Sequence, residues 1–461
     1  MSSFLTNLFE IADPEKNRGN VVSAREILDA GAERLHRELA TQPETQAILL
    51  GTVGKVYGSL GLYDQGMAVL RQAIDVQRRL YSGDSIELAR TYLALGALEV
   101  SARQLSEADR DLQLALGMAQ RLAGGESADV AAALYQIVRM RRDQEQNEAA
   151  IKLAHRALDI YQRIGQADSP VVADLWNALG TIFSKRNEWQ PAEAALRRAI
   201  DVDRRVRGTD HPDVAANLAV LARVLHNEGR MQEARSAFKE AIAIQQRVLG
   251  PEHPQSLGTM SAYADFLRKV GDLAEAERVA RASLAIATRA RGPRSFDSAN
   301  IRMGLALTLY EEGKLADAEA EQRQTCADFQ QLLPPDHVIQ GHCDVALARI
   351  VIDTGRTGEG EALARAAVAI FGKTLAPDDR HLARAHSVLG YSLLAQHRLA
   401  EAESELRDSY ATIARGFGAD GKDSVRARQW IGQLYAQLGR PADARKVIDS
   451  IELAQGPRNI L

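Results

Sequence analysis

Small and apolar residues recur along this chain at fixed places in a unit of 42 residues, and the polar positions between them repeat with the same period. The clearest unit runs HPDVAANLAVLARVLHNEGRMQEARSAFKEAIAIQQRVLGPEHP from His211 to Pro254, and then begins again. Its opening position is shared by Pro43, Ser85, Ser127, Ser169, His253, Ser295, His337, Asp379 and Gly421, with no residue gained or lost between them. Eleven residues into each unit stand Gly54, Gly96, Val138, Gly180, Ala222, Ala264, Ala306, Ala348, Gly390 and Gly432. Twelve residues later come Gly66, Ala108, Ala150, Ala192, Ala234, Ala276, Ala318, Gly360, Ala402 and Ala444, and seven later again Ala73, Ala115, Ala157, Ala199 and Ala241. Small side chains at these spacings let two helix backbones approach closely, so each unit is expected to hold two packed helices. Between the first two columns Gly61, Gly229, Gly271, Gly313, Gly355 and Gly439 suit the left-handed residue that ends a helix.

Proline placement tests this frame independently, because an interior proline costs a helix about 3 kcal/mol. Pro43, Pro170, Pro212, Pro251, Pro254, Pro293, Pro334, Pro335 and Pro377 fall in the loop between units or at the first turn of the next helix, while Pro191 and Pro441 open second helices. A constant period of this length is the signature of an α-solenoid whose helix pairs bury their apolar faces against their neighbours. The expected organisation is a degenerate capping repeat over 1–42, a continuous all-α array of ten pairs over 43–455 and a short tail over 456–461. In the first segment Ala12, Gly19, Ala24 and Gly31 keep the repeat phase, but Pro14 breaks a first helix. Ser23 and Glu26 form a capping box for the second. The apolar opening of Phe4, Leu5, Leu8 and Phe9 reads either as a cap on the array or as the remnant of a juxtamembrane segment of a longer parent.

The spacings of 12 and 7 resemble the tetratricopeptide repeat, and the 42-residue period with its HP-x-V opening and LGPEHP close resembles the version found in kinesin light chains and nephrocystin-like proteins. This resemblance covers nearly the whole chain and implies a right-handed superhelix acting as an interaction scaffold. The stretch FLTNLFEIADPEKNRGNVVSAREILDAGAERLHREL, with LGTVGKVYGSLGLYDQG after it, is similar to the sensor region that follows the kinase domain in certain bacterial serine/threonine kinases. That similarity implies the ligand-sensing part of such a receptor, placed outside the cytoplasm if a membrane kinase once carried it. No kinase HRD, DFG or nucleotide loop is present. Kinesin light chains hold acidic, aromatic-containing peptides with asparagines and basic residues of the first helices. Here the paired asparagines reduce to Asn217, with Ala219 in place of a second.

Charge changes the picture little. The formal charge is −4 with both signs interspersed, so no global field draws the protein to nucleic acid or an anionic membrane. No apolar run is long enough to span a bilayer and no signal sequence precedes the first unit, so the chain reads as soluble and cytoplasmic as it stands. Cys326 and Cys343 have no metal spacing, and the expectation is two small, reduced core residues, with a disulfide left open because the repeat phase puts them on the second helix of one unit and the first helix of the next. His211, His253 and His337 recur at the unit opening, which puts them on successive turns rather than around one metal ion. No HExxH, GxSxG or Walker loop occurs. The reading is a non-enzyme with neither metal nor cofactor.

The candidate binding residues come from the positions of the first helices that face the groove in such an array. Units three to six give Arg139, Arg142, Asn177, Lys185, Asn217, Arg223, His226, Asn227, Arg268 and Lys269, with Asp143 and Asp265 dissenting. Units seven to ten give Met303, Leu307, Tyr310, Val345, Arg349, Ile352, Tyr391, Leu394 and Trp430. A basic half and an apolar, aromatic half suit a protein or peptide partner with carboxylates and apolar anchors, because arginines pair carboxylates bidentately and pockets take buried side chains. Two other readings stay open at this point. One is a solvated basic face beside aromatics packed in a tight superhelix. The other is a basic track for a nucleic-acid backbone, which salt dependence would expose.

Overall fold

The computed structural model describes residues 41–454 together with 26, 28–32, 35 and 39. Its described part is built from ten helix pairs. The first helices are α1 (Pro43–Ser59), α3 (Ile86–Ser101), α5 (Ala128–Asp143), α7 (Pro170–Lys185), α9 (Pro212–Asn227), α11 (Leu257–Val270), α13 (Phe296–Glu311), α15 (Val338–Asp353), α17 (Arg380–Ala395) and α19 (Lys422–Gln437). Their partners are α2 (Tyr63–Leu80), α4 (Leu105–Ala123), α6 (Asn147–Arg163), α8 (Trp189–Val206), α10 (Met231–Leu249), α12 (Leu273–Arg291), α14 (Leu315–Leu332), α16 (Thr357–Thr374), α18 (Leu399–Phe417) and α20 (Pro441–Ala454). The array divides into two compact units, Met1–Ile244 and Gln245–Leu461.

In seven of the ten units the side chain of the opening residue caps the helical turn that follows it, the exceptions being Pro43, Ser169 and Gly421. Ser85, Ser127, Ser295 and Asp379 accept a backbone N–H through their side-chain oxygens. The three histidines do the same with a ring nitrogen: Nδ1 of His211, His253 and His337 accepts from the N–H two residues on, at 3.2 Å in each case. They punctuate helices, as the spacing predicts. The turn between paired helices is equally regular. Gly61, Gly229, Gly271, Gly313, Gly355 and Gly439 all take positive φ, and in the four units without glycine Arg103, Glu145, Asn187 and His397 are held there instead, at φ between 59° and 63°. A side chain in the left-handed region costs about 1 kcal/mol. The pair geometry therefore dictates this conformation whatever residue the unit supplies.

In the first unit, α1 to α8 and the greater part of the fifth pair stack their apolar faces on one another. Leu28, Ala32, Leu35 and Leu39 pack against Leu49, Leu50, Val53 and Tyr57 of α1, so the segment before the first full pair covers it. Phe4, Leu5, Leu8, Phe9 and the Ser23 cap lie outside the described residues, as does the tail from Gly456. The next layers are centred on Leu70, Leu88 and Leu95, then on Leu134, Leu158, Leu175 and Leu179. In the second unit a continuous core runs from Val345 through Phe371, Leu389, Leu406 and Tyr410 to Leu434. Val345, Ile352 and Leu394 belong to it. They are buried between helices rather than presented to a groove, which corrects the expectation for these three positions.

The cysteines also differ from expectation. They are buried, but they are joined: Cys326 of α14 and Cys343 of α15 form a disulfide across the junction of two pairs, with Cα atoms 5.6 Å apart. The repeat phase places one on a second helix and the other on the following first helix, at a separation a disulfide spans without backbone movement. Buried Gln322 donates to the Cys343 carbonyl at 3.2 Å and approaches its sulfur at 3.1 Å.

Candidate peptide-binding faces

In the first unit the candidates lie on α5, α7 and α9. Arg139 donates to Gln136 Oε1 at 2.8 Å and to Ser101 Oγ of α3 at 3.4 Å. Arg142 is paired with Asp143 at 3.3 Å, and Asp143 also meets Arg103 at 3.6 Å, so the dissenting acid absorbs charge from the stripe. Lys185 and Arg223 are exposed, as is Asn227. His226 Nδ1 sits 3.3 Å from the Met231 sulfur. Asn177 and Asn217 turn inward. The Asn177 amide donates to Asn217 Oδ1, and the Asn217 amide donates to Asp203 Oδ2 at 2.8 Å. With only 3% exposure, Asn217 is a strut joining α7, α8 and α9 and not the ligand contact expected of it.

In the second unit Arg268 and Lys269, at the end of α11, both pair with Asp265, at 2.7 and 2.8 Å. Against its burial, which favours the neutral acid, these two cations hold the Asp265 carboxyl below its usual range. Arg268 also reaches Glu311 of α13 at 2.5 Å, and Lys422 of α19 meets the other Glu311 oxygen at 2.7 Å. Met303 and Leu307 line a cavity of about 250 Å³ with Ala264, Arg268, Asn300 and Gly304.

The remaining candidates converge. Tyr310 of α13 and Tyr391 of α17 each donate a hydroxyl to Asp353 of α15, one to each oxygen, both at 2.6 Å. Tyr391 stacks on Trp430 of α19 with ring centroids 4.4 Å apart and planes 8° from parallel. The guanidinium of Arg349 lies over the Tyr310 ring at 5.5 Å, and that of Arg426 at 5.9 Å. Arg349, Arg384 and Arg426 surround Asp423 at 3.6, 3.7 and 3.4 Å. Arg384 also reaches Nδ1 of His342 at 2.9 Å, and burial together with this cation pushes the His342 pKa down to about 3, so the imidazole accepts the bond as a neutral ring. Burial, with Arg426 next to it, pushes the Arg349 pKa down to about 10. Burial and Asp353 push Tyr310 up to about 12.

Four successive first helices thus bring Tyr310, Arg349, Tyr391 and Trp430 together, with Arg349 and Trp430 buried and Trp430 part of the same core as Val345, Ile352 and Leu394. Arg384, Arg426, Asp353 and Asp423 complete the cluster and were not singled out from the sequence. A signal for two of them existed, since His342, Arg384 and Arg426 are separated by one full period each and so stand at one height on α15, α17 and α19. Among the described residues no helix is long and apolar enough to cross a membrane.

The model of the tetratricopeptide repeat matches residues 45–121 and 129–205 and, in overlapping copies, 192–331, more than half of the chain. The chain belongs to the tetratricopeptide repeat family. No curated protein matches the sequence. Among solved structures, the apo form of the quorum sensor NprR from B. thuringiensis is similar over 78% of this chain and 98% of its own, with 11% identity and a TM-score of 0.53. The STAND protein PH0952 of Pyrococcus horikoshii, described with a tetratricopeptide repeat sensor, is similar over 76% of this chain and 52% of its own, with 14% identity and a TM-score of 0.53. Repeats ascribed to a Podosopora anserina kinesin light chain align over 44% of this chain and 97% of their own, with 24% identity and a TM-score of 0.40. At these identities the first two similarities speak to fold alone.

Proposed function

We propose that this array is a protein- or peptide-recognition scaffold that holds an extended segment against the first helices of its second unit, as the sensing or adaptor part of a bacterial signalling system. The observation that carries the reading is the convergence of Tyr310, Arg349, Tyr391 and Trp430 from α13, α15, α17 and α19, where stacked rings stand beside guanidiniums. Aromatic and arginine side chains in a sheltered cluster are the groups that dominate peptide affinity. The sensor assignment rests on the likeness of residues 4–39 and 50–66 to the kinase-linked sensor region. A backbone track for nucleic acid draws less support, because Arg142, Arg268 and Lys269 already face carboxylates of their own unit.

The test is selection of a random peptide display library on the full chain and on the Tyr391→Ala/Trp430→Ala variant. The expected winners carry an acidic residue near an aromatic or aliphatic one and bind the variant at least about tenfold more weakly, the loss of one well-buried anchor. Winners that bind both proteins alike would remove the cluster from the recognition surface. A binding constant that falls steeply with salt, with no loss in the variant, would favour the nucleic-acid reading.

A further inference from the structure

Arg349 occupies an unusual position for an arginine. Its side chain is 9% exposed and makes no hydrogen bond among the described residues, its Nε is buried without an acceptor, and Asp423 stands 3.6 Å from its nearest nitrogen. The Nε–H is therefore withdrawn from water, and the guanidinium has one distant carboxylate and one aromatic face for company. The Nε of Arg384 is likewise buried without an acceptor. Arg426 makes the closest approach to Asp423, and that too is a long 3.4 Å.

The charges do not balance. Three guanidiniums meet at one carboxylate, and the nearby Asp353 is engaged by the hydroxyls of Tyr310 and Tyr391. Leaving a buried cation short of a partner is strongly unfavourable, so such an arrangement persists where something else completes it. At Asp423 itself the deficit is about two negative charges, and about one once the Asp353 carboxylate is counted, while the guanidiniums converge on one point rather than along a line. A single carboxylate supplies one charge and two oxygens. A phosphomonoester supplies −1.5 to −2 charges and three strong acceptor oxygens on one centre. Guanidinium forks match that geometry.

We propose that Arg349, Arg384 and Arg426 form a binding site for a phosphomonoester dianion, with Asp423 occupying the centre in its absence and the Tyr391–Trp430 stack forming an adjoining apolar wall. The site itself stands on this geometry. That the phosphoryl group arrives on a peptide side chain rests on the peptide-recognition reading above.

The experiment is calorimetric titration of the full chain at constant ionic strength with three probes: inorganic phosphate, a capped alanine pentapeptide with a central phosphoserine, and the same peptide unphosphorylated. Acetate serves as the monoanion control. Phosphate is expected to bind about tenfold or more tightly than acetate, and Arg349→Met to lower phosphate affinity by about tenfold, the worth of charge-assisted hydrogen bonds. Asp423→Asn is expected to raise phosphate affinity, because it removes the resident competitor. A site in which the arginines serve only to hold α19 in place would lose affinity in both variants. Circular dichroism melts establish that each variant is folded, and Asp423→Asn carries the test should Arg349→Met fail to fold. Equal binding of acetate and phosphate, no binding of phosphate, or weaker binding by Asp423→Asn each overturns the site. A phosphopeptide tighter than both phosphate and its unphosphorylated form supports the peptide source. Phosphate bound as tightly as the phosphopeptide keeps the site and overturns that source in favour of small phosphate esters.

Discussion

Asp344 sits on α15, its side chain without an ion pair or hydrogen bond among the described residues, and burial alone pushes its pKa up to about 6. Folding therefore binds a proton here between the ordinary carboxyl range and pH 6. The sign follows from linkage: with more protons on the folded state, stability falls as pH rises through that window and stays low above it. Replacing Asp344 by Asn removes the cost, so the variant should be more stable at pH 7.5 by on the order of 2 kcal/mol, and by less than half of that at pH 4.5. Urea unfolding at the two pH values measures the difference, and an equal gain at both would mean that the carboxyl's ionisation is not the cause. Other residues were legible from spacing alone. A histidine that recurs once per unit ahead of a helix has a cap to make, and it makes one at His211, His253 and His337. The positive φ of Arg103, Glu145, Asn187 and His397 was legible only by column, because nothing in those side chains asks for it.

Between helices of a pair, size is matched residue against residue. A Cβ added to Gly54, Gly96, Gly180 or Gly390 would come within 2.6–2.7 Å of the Leu70, Leu112, Leu196 or Leu406 side chain opposite. Where the first helix carries Val138, the facing position sixteen residues on is Ala154, and Ala264 and Ala348 face Ala280 and Ala364. The small column was readable in the sequence as close helix approach. Its reciprocal large column was not, because the requirement is on the sum of two residues and either may carry the bulk. Gly96→Ala should overpack α3 against α4 and cost about 1–3 kcal/mol. In the Leu112→Ala background, which recreates the pairing of small with small, the same change should cost much less and so show strong coupling. Chemical denaturation of the two single variants and the double variant gives the coupling directly, and additive effects would mean that the glycine is there for another reason. The buried cluster of the second unit was half legible by the same logic: aromatic residues at groove positions announce themselves, whereas Arg384 and Arg426 lie one column away and look like ordinary helix-surface arginines until α15, α17 and α19 are stacked.

At the scale of the whole molecule the period runs through the division at Ile244 with no residue gained or lost, although the third small column breaks beside it, Ala241 being followed one period on by Ser283. The disulfide is half visible to periodicity: the repeat phase puts the two cysteines on adjacent helices, but each column holds cysteine once, so nothing in the period says that they are joined. Its place matters for how the array loses structure. Stability in stacked repeats is a sum of unit terms and nearest-neighbour interfaces, so a constraint across one junction acts on that junction. The bridge from Cys326 to Cys343 closes a loop of 17 residues between α14 and α15. A loop of that order stabilises by about 3 kcal/mol through the unfolded chain. Unfolded, unreduced protein should accordingly show no free thiol. On reduction, hydrogen exchange should speed in α13 to α16, by up to the hundredfold that corresponds to about 3 kcal/mol, while α1 to α8 of the first unit keep their protection. Uniform loosening of all ten pairs would contradict the nearest-neighbour account. If reduction changed exchange nowhere, the helix interface built from Ala299, Phe329, Leu347 and Val351 around the bridge would by itself be holding the junction closed.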